Sequence, residues 1–140
     1  MLRSPLWQTL WLFWILVIIM ATTAPWTNFQ ANPTNWQKIN WAPYAYIFLK
    51  RGFINRDILQ NILLYIPFGY CYVKRFPFEN RSLLLFVGMF ACTLSLLTEA
   101  TQIFQPHRFP SATDVINNIF GALLGAIFGR WSSRQKNPIG

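Results

Sequence analysis

Residues 6–24, LWQTLWLFWILVIIMATTA, run 19 positions without a charge. About 20 apolar residues in a helix cross the ~30 Å of hydrocarbon in a bilayer. Inside that hydrocarbon every peptide group must find its hydrogen bond within the protein, which leaves only helices and closed barrels. The run therefore reads as a first membrane-spanning helix. Three more apolar runs follow, at 58–73, 82–104 and 112–131. The expected fold is therefore all-α: a four-helix transmembrane bundle in a single domain, 1–140, with a long aromatic-rich first loop. Charged residues are 11% of the chain, against about 25% in an ordinary soluble domain.

The first run has a rival reading as a signal peptide, with Arg3 as its basic end and Thr22 and Ala24 as small residues for cleavage. Trp7, Trp11 and Trp14 share one helical face, which favours a retained helix. Residues 25–56 carry Trp26, Trp36, Trp41, Tyr44 and Tyr46 beside Lys38, Lys50 and Arg51. Aromatic rings favour the head-group region, so this loop is expected on the membrane surface, with an interfacial helix within APYAYIFLKRGF. Asn32-Pro33-Thr34 is no glycosylation site because its middle residue is proline. In the second run Pro67 removes a donor and presses on the carbonyl of Leu63, which predicts a kink. The fourth run holds Gly121, Gly125 and Gly129, spaced to form a groove for a neighbouring helix.

A net charge of +8 would suggest nucleic acid in a soluble chain. Here the basic residues cluster at the ends of apolar runs, where they act as topology signals and lipid anchors, so no nucleic-acid partner is expected. With four spans, both termini and the 74–81 loop share a side with Arg3, Lys74, Arg75, Arg81, Arg130, Arg134 and Lys136; Glu79 lies in that loop. The other side holds Lys38, Lys50, Arg51, Arg56 and Arg108. Seven against five places the termini in the cytoplasm of a multi-pass plasma-membrane protein. Cys71 and Cys92 lie in apolar runs with no CxxC or Cys/His cluster, and His107 is the single histidine. No metal site and no cofactor is expected.

The polar residues inside the runs carry the functional signal. Glu99 and Gln102 close the third span, Asp114 and Asn118 open the fourth, Asn61 opens the second, and Arg108 sits in the intervening hairpin. All of these span ends share one side, so each group lies within about 10 Å of that surface at ~1.5 Å per residue. A carboxylate in hydrocarbon costs ~2.5–3.5 kcal/mol on insertion scales, which turns such residues inward toward partners. One inward cluster of Asn61, Glu99, Gln102, Arg108, Asp114 and Asn118 results. Plainer roles stand beside it. Ser111 and Asp114 have the spacing of a capping box, Arg108 can anchor at the interface, and Asn61 and Gln102 can join helices. No local backbone role explains Glu99.

At these residues the chain resembles the VanZ-like family of small bacterial membrane proteins. The matching pieces are NILLYIPFGY (61–70), TEATQ (98–102), His107-Arg108 and DVINNIFGALLG (114–125), over about the last 85 residues. The resemblance implies that the same six polar residues are the recurrent ones, with Pro67, Gly69, Gly121 and Gly125 as backbone positions. It leaves open whether Asn117 or Asn118 faces inward. It also implies a place in the bacterial cell envelope, and its namesake is associated with low-level resistance to the glycopeptide teicoplanin.

Three functions follow as expectations. The first is an outward-facing cluster that binds an amphiphile in the bilayer, such as an anionic lipid head group or a lipid-linked wall precursor. The second is an enzyme on a lipid-linked substrate, with Glu99 or Asp114 as general base and His107 as helper. The third is an accessory bundle that pairs with itself or with another membrane protein through the glycine face. Four spans leave little room for a transporter unless the chain dimerises.

Overall fold

A computed structural model of the chain describes residues 5–32, 36–44, 56–76 and 82–136. Among them are four α-helices: α1 (Pro5–Thr23), α2 (Arg56–Arg75), α3 (Ser82–Gln102) and α4 (Ala112–Lys136). Two single turns of 3-10 helix, Trp26–Asn28 and Trp36–Lys38, lie in the first loop. The one β-type pairing among the described residues is an isolated bridge between Asn40 and Ser111. The interfacial helix expected near 42–53 falls almost wholly outside the described residues. So do Arg3, Pro33 and Thr34, and Glu79 and Arg81 of the 74–81 loop.

Three helices, α1, α3 and α4, are long and apolar enough to cross a membrane. Their outward faces carry Phe13, Leu16 and Met20, then Leu85, Met89 and Leu96, then Phe120, Ile127 and Trp131, all exposed. In water each would forgo about 1.5–3 kcal/mol of burial, and apolar surface on three helices at once marks contact with lipid. The helix α2 is as long but less apolar, with Arg56 and Asp57 at its start and Lys74 and Arg75 at its end. It packs against all three other helices, most extensively against α4. Its buried face, Tyr65, Phe68, Gly69 and Tyr72, repeats every three to four residues, the period of one helical stripe.

The tryptophan face of α1 is an inward one. The ring centroid of Trp7 lies 5.7 Å from that of Tyr70, and Trp11 lies 5.8 Å from Phe68 and 5.5 Å from Tyr72. Trp14 Nε1 donates to the carbonyl of Leu64 at 2.7 Å. Rising α1 numbers thus meet falling α2 numbers, and the pair is antiparallel. The helix α2 continues through Pro67, whose ring nitrogen offers Leu63 no donor. The Trp14 bond braces the next carbonyl in the chain. At the far end of the bundle Lys74 Nζ donates to Ser133 Oγ at 2.9 Å. There the Arg75 guanidinium stacks 4.2 Å from the Trp11 ring.

The glycines explain why α2 and α4 lie so close. A methyl group at Gly121 would overlap the backbone of Ile62, one at Gly125 the backbone of Ile66, and one at Gly69 the backbone of Ala122. At Gly129 it would sit 3.1 Å from the carbonyl oxygen of Tyr70. The pairs 62:121, 66:125 and 70:129 rise together, so the two helices are parallel and in register over two turns. The small residues let backbone meet backbone without side chains between. The glycine face is therefore filled from within the bundle by α2.

Gly88 is a natural control, because a methyl there meets only Leu123 Cδ2 at an ordinary 3.8 Å. Gly125→Ala is expected to destabilise the purified protein by at least about 2 kcal/mol, within the range for overpacking a tight contact. Gly88→Ala should fall within about 0.5 kcal/mol of the parent. Unfolding in detergent with a graded denaturant measures both. A well-folded Gly125→Leu protein that only loses a partner on cross-linking would contradict the internal packing.

Candidate functional site

Ser95, Thr98, Glu99 and Gln102 recur at intervals of three, one and three along α3, so they share one stripe of the helix. All four are buried. The Thr98 hydroxyl returns to the Ser95 carbonyl at 2.9 Å, a local bond that needs no tertiary partner. Glu99 has no such local bond. Its Oε2 accepts the backbone N–H of Ser111 at 2.8 Å, and its Oε1 receives Gln102 Nε2 at 3.4 Å.

Ser111 immediately precedes α4, and its Oγ accepts the N–H of Thr113 at 3.2 Å, an N-cap contact. In a local capping box the acid three residues on, Asp114, would accept the Ser111 N–H in return. Here Glu99 accepts it from another helix. Its charge also meets the positive end of the α4 dipole. The backbone role missing from the sequence around Glu99 is thus supplied across the hairpin, and Asp114 is released from capping. The Asp114 carboxylate instead lies near the Asn61 amide and Asp57, both on α2, and lines the same cavity as they do.

One turn beyond Asp114, Asn118 Nδ2 donates to Ser95 Oγ at 2.8 Å. Among the described residues no donor pairs with Asn118 Oδ1, although the residue is only 2% exposed. Asn117, turned to another side of the helix, accepts the Tyr44 hydroxyl at 2.9 Å. Both amides are buried, but Asn118 is the one that lines the cavity described below.

The hairpin between α3 and α4 is tied to the end of α1, whose last carbonyls lack helical partners. Gln105 Nε2 donates to the carbonyl of Thr23 at 2.6 Å, and Arg108 Nη2 to that of Ala24 at 3.2 Å. A strap from the first loop lies across the same region. Asn40 N–H donates to Pro110 and its carbonyl accepts Ala112 N–H, at 2.9 and 3.0 Å. Tyr44 N–H donates to Thr113 Oγ1 at 2.9 Å.

These contacts enclose a cavity of about 910 Å³. Asn61, Glu99, Gln102, Arg108, Asp114 and Asn118 all line it. The sequence stripe had pointed to those six. It had not pointed to Asp57, Gln60, Asn40 and Ser111, which also line the cavity, nor to Ala21 and Leu63. Asp57 and Gln60 were readable as polar residues in the first turn of the second span, on Asn61's side of the membrane. Asn40 had no signal, because a loop strap has no period. Arg108 and His107 are exposed, whereas Glu99, Gln102 and Asn118 are buried, so the cavity runs from the hairpin surface inward. Among the described residues no three of His, Cys, Asp and Glu stand close enough to hold a metal ion. What the walls offer is carboxyl and carboxamide groups, which between them accept and donate hydrogen bonds, with a guanidinium at the exposed end.

No curated protein and no solved structure matches this chain. A family model described as VanZ/LLP1 matches residues 7–132. That span takes in all four helices apart from a few residues at their outer ends, and every residue of the polar cavity. The cavity is thus built within the part of the chain that defines the match, and the protein belongs to the VanZ/LLP1 family.

Proposed function

We propose that this VanZ/LLP1 protein binds the polar head group of a membrane amphiphile in the cavity between α2, α3, α4 and the hairpin. The observation that carries the reading is the mixed wall. Glu99, Asn118 and Gln102 lie buried at its polar end, while Ala21 and Leu63, exposed on the lipid-facing side of α1 and α2, line the same space. A small soluble ligand has no use for that exposed apolar wall. An amphiphile needs both, since its head requires polar partners and its chains stay in hydrocarbon. Ligand sites in bundles form between helices from a few convergent polar groups in an apolar surround.

Arg108, at the exposed end, presents a planar fork of donors suited to a phosphate or carboxylate. By positive-inside counting the cavity faces outward from the cytoplasm. The ligand then belongs to the outer leaflet of the plasma membrane, either as a lipid or as a lipid-linked wall precursor. Handling of such a precursor is the route by which a VanZ-like protein would alter the response to teicoplanin.

Binding is favoured over catalysis by what the hydroxyls and Glu99 are doing. The two hydroxyls in the wall are both committed to backbone: Thr22 donates to Ile18 at 2.7 Å, and Ser111 caps Thr113. Both Glu99 oxygens already accept hydrogen bonds, Oε2 as the cap of α4 and Oε1 from Gln102, which gives this acid a structural role without proton transfer.

Two outcomes are expected. Native mass spectrometry of the detergent-extracted protein should show a co-purifying lipid that is lost from Arg108→Gln, a change that keeps an N–H donor for the Ala24 carbonyl but removes the charge. An unaltered lipid complement in that variant contradicts the reading. Glu99→Leu strips the cap from Ser111 and should cost about 1–3 kcal/mol, the penalty for a buried unsatisfied donor. Asp114→Asn should stay within about 1 kcal/mol of the parent, since an amide still pairs with Asn61. Thermal unfolding of the purified proteins compares the two, and equal losses would contradict the division of roles between the acids.

A further inference from the structure

The groups in the cavity wall decide which kind of ligand group can satisfy them. A phosphate only accepts hydrogen bonds, an ammonium only donates them, and a hydroxyl does both. The wall presents partners of both kinds. Gln60, Asn61 and Gln102 are carboxamides that donate through nitrogen and accept through oxygen, while Asp114 accepts through a carboxylate. Arg108 adds donors at the exposed end. A phosphate carried inward past Arg108 would meet the carboxylates of Asp114 and Glu99. An ammonium would leave the amide N–H groups and the guanidinium unanswered.

Gln102 brings this two-way capacity into the buried part of the wall. It is 7% exposed and lines the cavity. Among the described residues its side chain makes one hydrogen bond, a long one of 3.4 Å from Nε2 to Glu99 Oε1. A carboxamide has two N–H donors and two acceptor positions, so most of this capacity is unspent. Nor is Gln102 Oε1 one of the unpaired oxygens sealed inside the protein, as Asn118 Oδ1 is. The cavity also has the room for a bulky head group. Its volume of about 910 Å³ stands near the top of the ~300–1,000 Å³ range of small-molecule pockets. Phe109, exposed at the hairpin, adds an aromatic ring to the lining, and the apolar C–H face of a sugar packs on such a ring.

We propose that the head group bound here is a sugar, whose hydroxyls bridge Gln102, Asn61 and Asp114, with Gln60 and Phe109 nearer the exposed end. The inference rests on the head-group reading above and names the chemical class of the ligand. Each hydroxyl takes an N–H from a carboxamide and gives its own hydrogen to a carboxylate or a carboxamide oxygen, so donors and acceptors are used in pairs. A neutral polyol therefore fits without bringing a charge of either sign among the acids. The sugar arrives on a lipid because Ala21 and Leu63, exposed on the lipid-facing side, continue the same wall.

The test uses the full chain in a polyoxyethylene detergent, which carries no sugar, and native mass spectrometry with three lipids of identical acyl chains: glucosyl diacylglycerol, phosphatidylethanolamine and phosphatidate. The glucosyl lipid should be retained about tenfold better than either phospholipid, the gain expected from two further neutral hydrogen bonds. Gln102→Met, which keeps the length of the side chain and removes the amide, should reduce that preference to within about twofold. Gln60→Ala, at an exposed position, should weaken it about threefold and decides the matter if Gln102→Met fails to fold. A preference undiminished in both variants overturns the assignment to these carboxamides. Equal retention of all three lipids by the parent, or a lead for either phospholipid, overturns the sugar inference and leaves the head-group reading intact. Binding of free glucose with no lipid retained supports sugar recognition and overturns the amphiphile as its source. No adduct with any lipid or with glucose overturns both.

Discussion

The close parallel contact between α2 and α4 sets the geometry on which everything else in this protein depends. With no side chain at Gly121 or Gly125, the α4 backbone rests on that of α2 at Ile62 and Ile66. That register has a direct chemical consequence. Asn61 precedes Ile62, and Asn118 and Asp114 lie one and two turns before Gly121 along a parallel neighbour. The amide of α2 therefore meets the carboxylate of α4 because the glycines fix which turn lies beside which. Membrane helices gain little from hydrophobic association with one another, since lipid is as apolar as leucine, so close packing has to supply the specificity. The same contact that holds the bundle together assembles half of its polar site.

The other half comes from an exchange of duties between two acids. Asp114 stands where a capping acid belongs, yet Glu99, twelve residues before Ser111 and on the preceding helix, takes the Ser111 N–H. This arrangement makes the α3–α4 hairpin a closed unit: the end of one helix holds the start of the next. The α1 terminus is closed by the same logic, with Gln105 and Arg108 of the hairpin donating to the carbonyls of Thr23 and Ala24. Two helix ends, the close of α1 and the start of α4, are thus satisfied by side chains from α3 and its hairpin, while the end of α3 is closed by backbone turns. Such mutual capping suits backbone groups near the hydrocarbon boundary, where an unpaired one costs several kcal/mol.

The helices and the polar stripe were legible in the chain because both are periodic. Runs of about twenty apolar residues mark spans, a three-to-four-residue interval puts Glu99 and Gln102 on one face, and four-residue glycine spacing marks a close neighbour. That α2 is the less apolar helix was partly visible in Asn61 and Pro67, and the glycine spacing did not say which helix fills the groove. The identity of the capping acid was hidden. Local spacing favours Asp114, and only the fold shows that Glu99 reaches Ser111 first. The strap was equally hidden, since the pairing of Asn40 with Pro110 and Ala112 joins residues about seventy apart that share no pattern. Tyr44 at a positive φ of 58° places its N–H on Thr113 and its hydroxyl on Asn117, a detail that no sequence rule for tyrosine anticipates.

The strap and the distribution of charge bear on the same question, how a strongly basic chain keeps an acidic interior. Along the membrane surfaces the basic residues serve topology, and at the far end Lys74 and Arg75 turn onto Ser133 and Trp11 rather than toward the acids. Lys38, the described lysine of the strap, stands over the ring of Phe109 with its ammonium 5.5 Å from the centroid. Lys38 and Lys74 are thus engaged elsewhere, and the cation among the described lining residues of the cavity is Arg108 at its exposed end. Arginine holds its charge at any physiological pH, and the Arg108 guanidinium lies near enough to favour the charged forms of Glu99 and Asp114. The acids that line the cavity, Asp57, Glu99 and Asp114, are therefore balanced from within the chain by a guanidinium at the exposed end, because Lys38 and Lys74 are drawn to aromatic rings and to Ser133 instead.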